Sequence, residues 1–268
     1  MPRRARVDVE LVRRGLARSR QQAAQLIAAG RVRIDGMPAA KAATAVAVTS
    51  QLTVATGDRG WVSRGAHKMI GALDAFHLDV TAKRCLDAGA STGGFTEVLL
   101  DRGAREVVAA DVGYGQLAWS LRSDPRVTVL ERTNVRDLTT DDIGGPVDLV
   151  VADLSFISLS TVLPALLSCA SDDADIVPMV KPQFEVGRDR VGPGGVVSDP
   201  HLRAGSVLAV AAAAAAAGWH PVDVTASPLP GPSGNVEYFL HLRARTDGAL
   251  TGDALEGAVA RAVCEGPQ

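Results

Sequence analysis

The chain is poor in aromatic residues and in cysteine. Phenylalanine, tryptophan and tyrosine make up 4% of the 268 residues, so a binding site built from many stacked rings is not expected. The three cysteines, Cys85, Cys169 and Cys264, stand far apart, and no CxxC pair or Cys/His cluster occurs. This pattern gives neither a disulfide framework nor a zinc site. We therefore expect reduced thiols and no metal.

Long apolar segments are also missing. The most apolar run, residues 207–217, has 11 residues and is mostly alanine, whereas a helix that spans a bilayer needs about 20. No apolar segment of the signal-peptide kind follows the basic residues near the N-terminus. The sequence therefore predicts a cytoplasmic protein without stable membrane insertion.

Charge is distributed unevenly along the chain. The formal net charge is −2, but residues 1–60 hold 11 Lys and Arg against four Asp and Glu, and the remaining residues carry a net −9. Because phosphate contacts dominate nucleic-acid affinity, a basic arm on an acidic body is compatible with binding of a polyanion. Basic termini also occur in proteins that only need solubility, so charge alone leaves this question open.

The N-terminal segment has the pattern of a small α+β domain. Residues 7–17 are a predicted helix, and Ser19 can cap a second helix, with Gln22 at the capping-box spacing and Gly30 as a stop. The second helix is expected to bury Ala23, Leu26 and Ile27. A strand at residues 31–34, a turn at Asp35 and Gly36, and weaker strands at residues 45–48 and 52–54 complete the pattern. Residues 1–59 are the predicted first domain, and residues 60–63 are the predicted linker.

The segment LARSRQQAAQLIAAGRVRIDG, residues 16–36, resembles the S-four RNA-binding module. That module places basic side chains of its second helix and following turn against RNA phosphates. The resemblance implies RNA contacts by Arg14, Arg18, Arg20, Arg31 and Arg33. A solvated arginine face is the alternative interpretation.

Beyond the linker, strand and helix patterns alternate, which predicts βαβ units and a parallel sheet over residues 64–268. The predicted strands are residues 84–87, 107–111, 127–130, 147–152, 176–180, 222–226 and 237–242. The predicted helices are residues 64–76, 96–102, 117–122, 159–169, 201–217 and 251–263. Seven strands, with long loops after the first, fourth and fifth, predict a Rossmann-like, doubly wound α/β sheet.

The strongest motif is LDAGASTGGF, residues 86–95, which follows a predicted strand and precedes a helix. Glycines at such a place let the backbone approach a bound cofactor closely. The spacing is not GxGxxG, and a carboxylate stands two residues before the first glycine, which favours S-adenosylmethionine over a dinucleotide. A purely structural glycine turn is the alternative. The predicted cofactor contacts are Asp87, Gly89, Ala90, Ser91, Gly93, Gly94 and Phe95.

Four further positions are candidate cofactor contacts, and one of them, Asp153, is also a candidate catalytic residue. Asp111 ends the second predicted strand, where a carboxylate can accept hydrogen bonds from ribose hydroxyls. Asn134 follows the third strand, where such folds meet the adenine, although an ordinary turn asparagine would look the same. Phe156 follows the fourth strand and could pack on the cofactor, but packing in the core is the default expectation for a phenylalanine.

Asp153 and Lys181 follow the fourth and fifth predicted strands. Ligands collect outside the carboxyl ends of such strands, so the two side chains can face one site. Lys181 stands between Val180 and Pro182, where partial loss of water would make its amine a usable base or polarising donor. A solvated lysine is the ordinary alternative.

Together with Lys68 and Glu237, these two residues resemble the Lys-Asp-Lys-Glu tetrad of FtsJ-like RNA 2′-O-methyltransferases. With the S-four module and the segments VKPQFE and GNVEYF, the whole chain resembles the TlyA family of rRNA cytidine-2′-O-methyltransferases, also labelled haemolysins. The resemblance implies a class I methyltransferase fold, S-adenosylmethionine as cofactor, and methylation of cytidine in 16S and 23S ribosomal RNA. Ribosomal RNA or ribosomal subunits are the implied partners, and we expect a monomer. One departure is Gly60 in the linker, where a side chain is expected.

The implied mechanism gives each tetrad residue a role. Lys181 is predicted to polarise or deprotonate the ribose hydroxyl, Asp153 to hold Lys181, and Lys68 and Glu237 to orient the ribose. Three alternatives are weighed against it. An assembly factor with a decayed methyltransferase fold would have lost the tetrad, and a membrane-lytic haemolysin would need a spanning or strongly amphipathic basic helix. A nucleotide-dependent oxidoreductase is disfavoured by the glycine spacing.

Overall fold

The computed structural model describes residues 4–28, 32–39, 41–54 and 60–267. The chain divides into two compact units, residues 1–60 and residues 61–268. The predicted helix stop Gly30, the predicted RNA contact Arg31 and residues 55–59, which come directly before the predicted linker, lie outside the described residues.

The first unit is a small α+β domain. A two-stranded antiparallel sheet pairs β1 with β4, and a three-stranded antiparallel sheet has the order β3-β2-β5. Its elements are β1 (Arg4–Arg6), α1 (Val7–Arg13), α2 (Arg20–Ala28), β2 (Val32–Ile34), β3 (Met37–Pro38), β4 (Ala45–Ala47) and β5 (Leu52–Val54).

The local signals in this unit act largely as predicted. The Ser19 hydroxyl accepts a hydrogen bond from the backbone N–H of Gln22 (3.1 Å), and the predicted core residues of α2, Ala23, Leu26 and Ile27, are buried. The Gln22 side chain accepts from the N–H of Arg18 (2.6 Å), one residue before the partner that a capping box would use. The first helix ends at Arg13, four residues earlier than predicted, because Gly15 takes a left-handed conformation with φ +70°.

The second unit is built on a seven-stranded sheet with the order β11-β12-β10-β9-β6-β7-β8. β12 is antiparallel to both of its neighbours, and the pairs among β10, β9, β6, β7 and β8 are parallel. This sheet confirms the predicted doubly wound fold. Its strands are β6 (Arg84–Ala88), β7 (Glu106–Ala110), β8 (Val127–Leu130), β9 (Val147–Ala152), β10 (Ala170–Val180), β11 (His220–Ala226) and β12 (Tyr238–Arg243).

Helices cover both faces of this sheet, and every strand from β6 to β9 therefore carries apolar residues on each side. Residues such as Leu86 and Val150 pack under α6, α8 and α9, while Cys85 and Leu149 pack under α3 and α4. The helices are α3 (Gly65–Ala75), α4 (Gly94–Asp101), α5 (Trp119–Arg122), α6 (Leu159–Ser168), α7 (Pro182–Glu185), α8 (Pro200–Ala216) and α9 (Gly252–Glu265).

The chain order reverses beside β6. Its two neighbours, β7 and β9, lie on opposite sides, so the loops that leave the carboxyl ends of β6 and β9 diverge and open a crevice between them. Crevices at such switch points are where open α/β sheets bind ligands. The site is therefore sought at this edge.

Candidate active site

The loop after β6 requires glycine at two positions. Gly89 has φ +88°, and a Cβ there would lie 2.4 Å from the carbonyl oxygen of Asp153. Gly93 has φ +97°, and a Cβ there would lie 2.2 Å from the side chain of Leu121. Both positions combine a backbone conformation that favours glycine with a lack of space. Gly93 meets leucine side chains, so packing explains the need for glycine there, and its contact with a cofactor stays a prediction.

Two cavities open at this edge of the sheet. The first, here called the tetrad cavity, has a volume of about 410 Å³ and is lined by Lys68, Asp153, Lys181 and Glu237. The second, the Asp111 cavity, has a volume of about 470 Å³. Both volumes are within the roughly 300–1,000 Å³ of small-molecule sites. The two cavities share four lining residues, which are Gly89, Ser91, Asp153 and Ser155.

The predicted cofactor contacts divide between these cavities. Ala90, Gly94 and Phe95 line the tetrad cavity, and Asp111, Asn134 and Phe156 line the Asp111 cavity. Asp87 and Gly93 line neither of them.

The four tetrad residues form two ion pairs, in which both lysines and Glu237 are buried and Asp153 is partly exposed. The Lys181 Nζ lies 2.6 Å from Asp153 Oδ1, and the Lys68 Nζ lies 2.5 Å from Glu237 Oε2. Lys68 and Lys181 are 7% and 8% exposed, so the solvated alternative for Lys181 is wrong. Because a buried charge is costly without a partner, each lysine depends on its carboxylate.

Sheet topology explains why residues so distant in sequence meet. Asp153 and Lys181 follow the carboxyl ends of the parallel strands β9 and β10. β12 runs the other way, and its first residue, Tyr238, pairs with Val180. Glu237 therefore stands at the same edge, beside the residue that follows β10. Lys68 comes from α3, which packs on this unit's sheet.

The Asp111 carboxylate is held by backbone groups. Its Oδ2 accepts from the N–H of Ser91 (2.8 Å), and its Oδ1 accepts from the N–H of Gly113 (2.7 Å). A carboxylate oxygen has a second acceptor site, so each can still accept a hydroxyl hydrogen. The carboxylate is thus arranged to accept hydrogen bonds from a neighbouring pair of hydroxyls.

Asn134 caps a turn, which is the alternative interpretation that the sequence allowed for it. Its side-chain oxygen accepts from the N–H of Arg136 (3.2 Å) and caps a short 3-10 turn, Val135–Asp137. The residue is exposed and also lines the Asp111 cavity. The cap leaves its amide N–H groups available to a ligand.

Asp87 lies beneath the glycine loop rather than on a cavity wall. It is fully buried; its Oδ2 accepts from the Thr96 hydroxyl (2.6 Å), while its Oδ1 has no hydrogen-bond partner among the described residues. Burial raises the pKa of Asp87 to about 7. Its direct partner is the first turn of α4.

Phe156 is not a core residue, so the default expectation for it is wrong. Its side chain is 92% exposed, and its ring centroid lies 5.3 Å from that of Phe184. Its backbone has φ +65°, a conformation that costs a non-glycine residue free energy. The loop after β9 therefore presents an aromatic ring at the rim of the Asp111 cavity at an energetic cost.

Two residues of this site carry no signal in the sequence that we recognised. The Ser155 hydroxyl accepts a hydrogen bond from the Lys181 Nζ (3.1 Å). Glu185 accepts from the Ser158 hydroxyl (2.6 Å) and from the N–H of Leu159 (2.8 Å) at the start of α6. Both contacts join loops that follow different strands. The position of Ser155, two residues after the carboxylate of Asp153 at the end of a strand, could have indicated it.

In the first unit, two buried carboxylates hold arginines. Asp8 pairs with Arg6 and Arg20, and the Arg6 guanidinium lowers the pKa of Asp8 to about 2. Glu10 pairs with Arg13 and Arg14, and Arg13 is the larger cause that lowers the pKa of Glu10 to about 2. The side chains of Arg6, Arg13 and Arg20 remain about half exposed, at 49%, 59% and 62%.

Arg14 differs from the other predicted RNA contacts. Its side chain is 22% exposed and donates to the carbonyl oxygens of Val48 (2.8 Å) and Ser50 (2.7 Å) as well as to Glu10. It therefore connects α1 to the segment before β5. Arg18 is exposed, and Arg33 donates to the carbonyl oxygen of Gly36.

Two features are absent from the described part of the chain. None of its helices has the length and apolar character needed to cross a bilayer. Across residues 4–28, 32–39, 41–54 and 60–267, no three His, Cys, Asp or Glu side chains are grouped so that they could hold a metal ion.

Family profiles match both units. The profile described as FtsJ-like methyltransferase matches residues 61–244, and the S4 domain profile matches residues 5–52. The class of protein is thus a methyltransferase with an S4 domain in front of it.

Individual relatives narrow the family. The chain is 75% identical, over the full length of both proteins, to the 16S/23S rRNA (cytidine-2′-O)-methyltransferase TlyA of Mycobacterium tuberculosis. It is 35% identical to hemolysin A of Brachyspira hyodysenteriae, over 88% of this chain and 98% of that one. A solved structure from Streptococcus thermophilus, described as a candidate hemolysin, has 37% identity and a TM-score of 0.74 over 99% of this chain and 97% of that one. The chain belongs to the TlyA family of FtsJ-like methyltransferases.

Proposed function

We propose that this chain transfers a methyl group from S-adenosylmethionine to the ribose 2′-hydroxyl of cytidines in 16S and 23S ribosomal RNA. The observation that carries the proposal is the shared wall of the two cavities, where Lys181, a buried cation, is paired with Asp153. A cofactor cavity and a target cavity must meet where a methyl group passes between them. The name of the relative from Mycobacterium tuberculosis supports the choice of substrate.

The residues of the Asp111 cavity fit S-adenosylmethionine. When bound, this cofactor supplies an activated methyl group on a sulfonium. Asp111 would accept hydrogen bonds from the ribose hydroxyls, and Gly89, without a side chain, lets the loop after β6 lie against the backbone of Asp153 on the cavity wall. Asp111 gives the cavity negative charge, which suits a cationic ligand, while the charge of Asp153 is balanced by Lys181.

The tetrad residues would act on the target ribose. A ribose hydroxyl is a poor nucleophile at neutral pH, so its position and its proton both have to be controlled. Lys181 would polarise the hydroxyl or take its proton while Asp153 keeps the amine in place. The Lys68–Glu237 pair stands in the same cavity and would orient the ribose.

The first unit would bind ribosomal RNA or a ribosomal subunit through its arginines. Arg18, Arg20, Arg31 and Arg33 stay our proposed contacts, with Arg6 and Arg13 added because their guanidinium groups are exposed. Arg14 is proposed to act as a brace, because its guanidinium is engaged by Glu10 and two carbonyl oxygens. Ribosomal RNA as the substrate implies action in the cytoplasm, and we propose that the protein acts as a monomer.

The test is methyl transfer by the full chain. Purified protein is incubated with radiolabelled S-adenosylmethionine and with isolated small and large ribosomal subunits, and modified riboses are mapped by primer extension. Incorporation at cytidine 2′-oxygens is expected, and Lys181→Ala, measured alongside, is expected to bind the cofactor but not to transfer. A wild-type chain that binds subunits and cofactor but transfers nothing would instead support an assembly factor.

A further inference from the structure

Ser155 lies at the point where the two cavities meet. It is one of the four residues that line both of them, and it stands two positions after Asp153 in the loop that follows β9. Its hydroxyl oxygen lies 3.1 Å from the Lys181 Nζ and accepts a hydrogen bond from it. Lys181 is thus held by a carboxylate on one side and by a hydroxyl on the other.

The contact with Ser155 limits the orientation of the Lys181 amine. A lysine ammonium has three N–H groups. Ser155 accepts a hydrogen bond from one of them (3.1 Å), and Asp153 Oδ1 lies 2.6 Å from the same nitrogen as its ion-pair partner. A single acceptor would leave the amine free to turn about its last bond. The hydrogen bond to Ser155, added to the ion pair with Asp153, restricts this rotation and so limits where the other hydrogens, or the lone pair after loss of a proton, can point.

The position of Ser155 is itself fixed by its loop. On one side of Ser155, Asp153 contacts Lys181. On the other side, Phe156 contacts the ring of Phe184, and Ser158 donates to Glu185. Residues 153–158 are therefore tied to residues 181–185 on both sides of Ser155. A serine on an untethered loop would meet Lys181 only by chance.

We propose that Ser155 is a positioning residue for Lys181: its hydroxyl directs the amine toward the shared wall of the cavities and stabilises its protonated form. This inference rests on the proposed role of Lys181 in methyl transfer. A hydroxyl that accepts from an ammonium favours the charged form, and its removal favours the neutral amine. The other charged groups that line the same cavity are Asp153, Arg64 and the Lys68–Glu237 pair, and the Phe184 ring lies 6.0 Å from the Lys181 Nζ.

Three variants of the full chain test the inference. Ser155→Ala removes the acceptor, Ser155→Thr keeps a hydroxyl at the same place, and Ser160→Ala removes an exposed serine hydroxyl at the start of α6, outside both cavities. Single-turnover methyl transfer to ribosomal subunits is measured from pH 6 to pH 10, with the affinity for S-adenosylmethionine measured separately. Thermal unfolding checks that each variant is folded.

For Ser155→Ala we expect the transfer rate at its optimum to fall roughly 10- to 100-fold, the effect of losing a hydrogen bond to a charged group. The acid limb of its pH–rate profile should move to lower pH, because the amine loses its proton more easily. Ser155→Thr should restore both the rate and the position of the limb. Ser160→Ala should match the wild type in every measurement.

A second readout does not depend on turnover. In protein with labelled lysine amines, the NMR titration midpoint of Lys181 should move to lower pH in Ser155→Ala without cofactor or RNA present. A Ser155→Ala variant with wild-type rate and unmoved pH limb overturns the inference. So does a lower rate that Ser155→Thr does not restore and that leaves the limb in place, because that pattern is structural. A wild-type chain that methylates no ribosomal RNA overturns the proposed function, and the inference with it.

Discussion

The two lysines of the tetrad cavity differ in how much water reaches their partners. The Asp153 side chain is 26% exposed, whereas the Glu237 side chain is 2% exposed. Proton exchange with solvent is easier for the first pair, so Lys181 is the better candidate for the group that handles a proton. The Lys68–Glu237 pair is suited to a fixed charge and a fixed shape, because breaking a fully buried pair leaves an uncompensated charge.

Lys181→Ala should lower the rate of methyl transfer by about 10²–10⁴-fold, the usual value of general acid–base help. Affinity for S-adenosylmethionine should change little, because Lys181 is proposed to act on the target ribose. Lys181→Arg should stay inactive if a proton must be taken, since a guanidinium remains charged at any working pH. Asp153→Asn should be comparably damaging, and the double variant much less than additive. Near-normal single-turnover rates in Lys181→Ala would rule out this mechanism.

Asp87 gives the larger unit a dependence of stability on pH. Burial raises the pKa of Asp87 to about 7. The folded state therefore favours the protonated carboxyl, and this contribution to stability is lost as the pH rises toward 7. Asp87→Asn cannot ionise, so its free energy of unfolding relative to wild type should increase by roughly 3 kcal/mol between pH 5 and pH 8.

Urea unfolding followed by tryptophan fluorescence measures this effect. All three tryptophans, Trp61, Trp119 and Trp219, belong to the larger unit, so the signal reports on that unit. Asp189→Asn, at an exposed aspartate outside this network, is the matched control and should show no such pH dependence. A constant difference between Asp87→Asn and wild type across this pH range would contradict the interpretation.

At the scale of elements, α7 connects the ends of β9 and β10. This single turn starts at Pro182, which is well suited to the first position of a helix because its missing N–H has no partner there. It brings Phe184 to Phe156, and Glu185 to the first turn of α6. The loop that carries Asp153 and Ser155 is therefore positioned from the strand that carries Lys181.

Glu185→Ala should loosen this connection. It leaves the N–H of Leu159 without its acceptor, which costs about 1–3 kcal/mol where the group stays buried. We expect a lower melting temperature. We also expect the rate of methyl transfer to fall about tenfold, because a small displacement of the loop that holds Asp153 and Ser155 would misalign the groups that act on the ribose. Glu185→Gln keeps one acceptor oxygen, so its melting temperature and transfer rate should lie between those of Glu185→Ala and the wild type. Glu256→Ala, at an exposed glutamate of α9, serves as control, and equal rates for it and Glu185→Ala would refute the role.

Features that depend on a few neighbouring residues could be predicted from the sequence, and features that depend on distant residues could be predicted less well. Short apolar runs flanked by polar residues predict β8 and β9 to the residue, although only β9 is largely buried and β8, at the edge of the sheet, is partly exposed. β10 begins six residues before its prediction because its first part contains the polar Asp172 and Asp173, and its pairing with β9 shifts register there. The strand ends bring Asp153, Lys181 and Glu237 to one cavity, which Lys68 of α3 also lines; the roles of the four residues stay predictions.

The contacts that sequence reasoning missed depend on tertiary structure. Ser155 meets Lys181 across 26 positions, and Glu185 meets Leu159 across the same separation, with no periodic pattern between them. Arg14 meets the carbonyl oxygens of Val48 and Ser50, which have no side-chain signature at all. Hydrophobic periodicity predicts which face of an element is buried, but it does not predict which loops touch.

For the whole molecule, the division of charge coincides with a division of structure. The first unit has its own core around Val7, Leu11 and Ile27, and the larger unit has separate cores on the two faces of its sheet. Residues 1–60 carry a net charge of +7 and the rest carry −9. The proposed binding of a polyanion thus belongs to the positively charged first unit, and the proposed binding of a cationic cofactor belongs to the negatively charged larger unit.

A chain shortened to residues 61–268 should separate these two activities. It retains both cavities, so its calorimetric affinity for S-adenosylmethionine should match the full chain. Its methylation of ribosomal subunits should be lost, because the remaining chain carries a net charge of −9 and lacks the arginines of the first unit. The full chain should bind subunits with an affinity that falls steeply with salt, by a slope of about 0.9 per duplex phosphate contact. Full-length Lys181→Ala is the matched control and should keep that salt-dependent binding without transfer. Methylation by residues 61–268 at the rate of the full chain would mean that the first unit is not the recognition element.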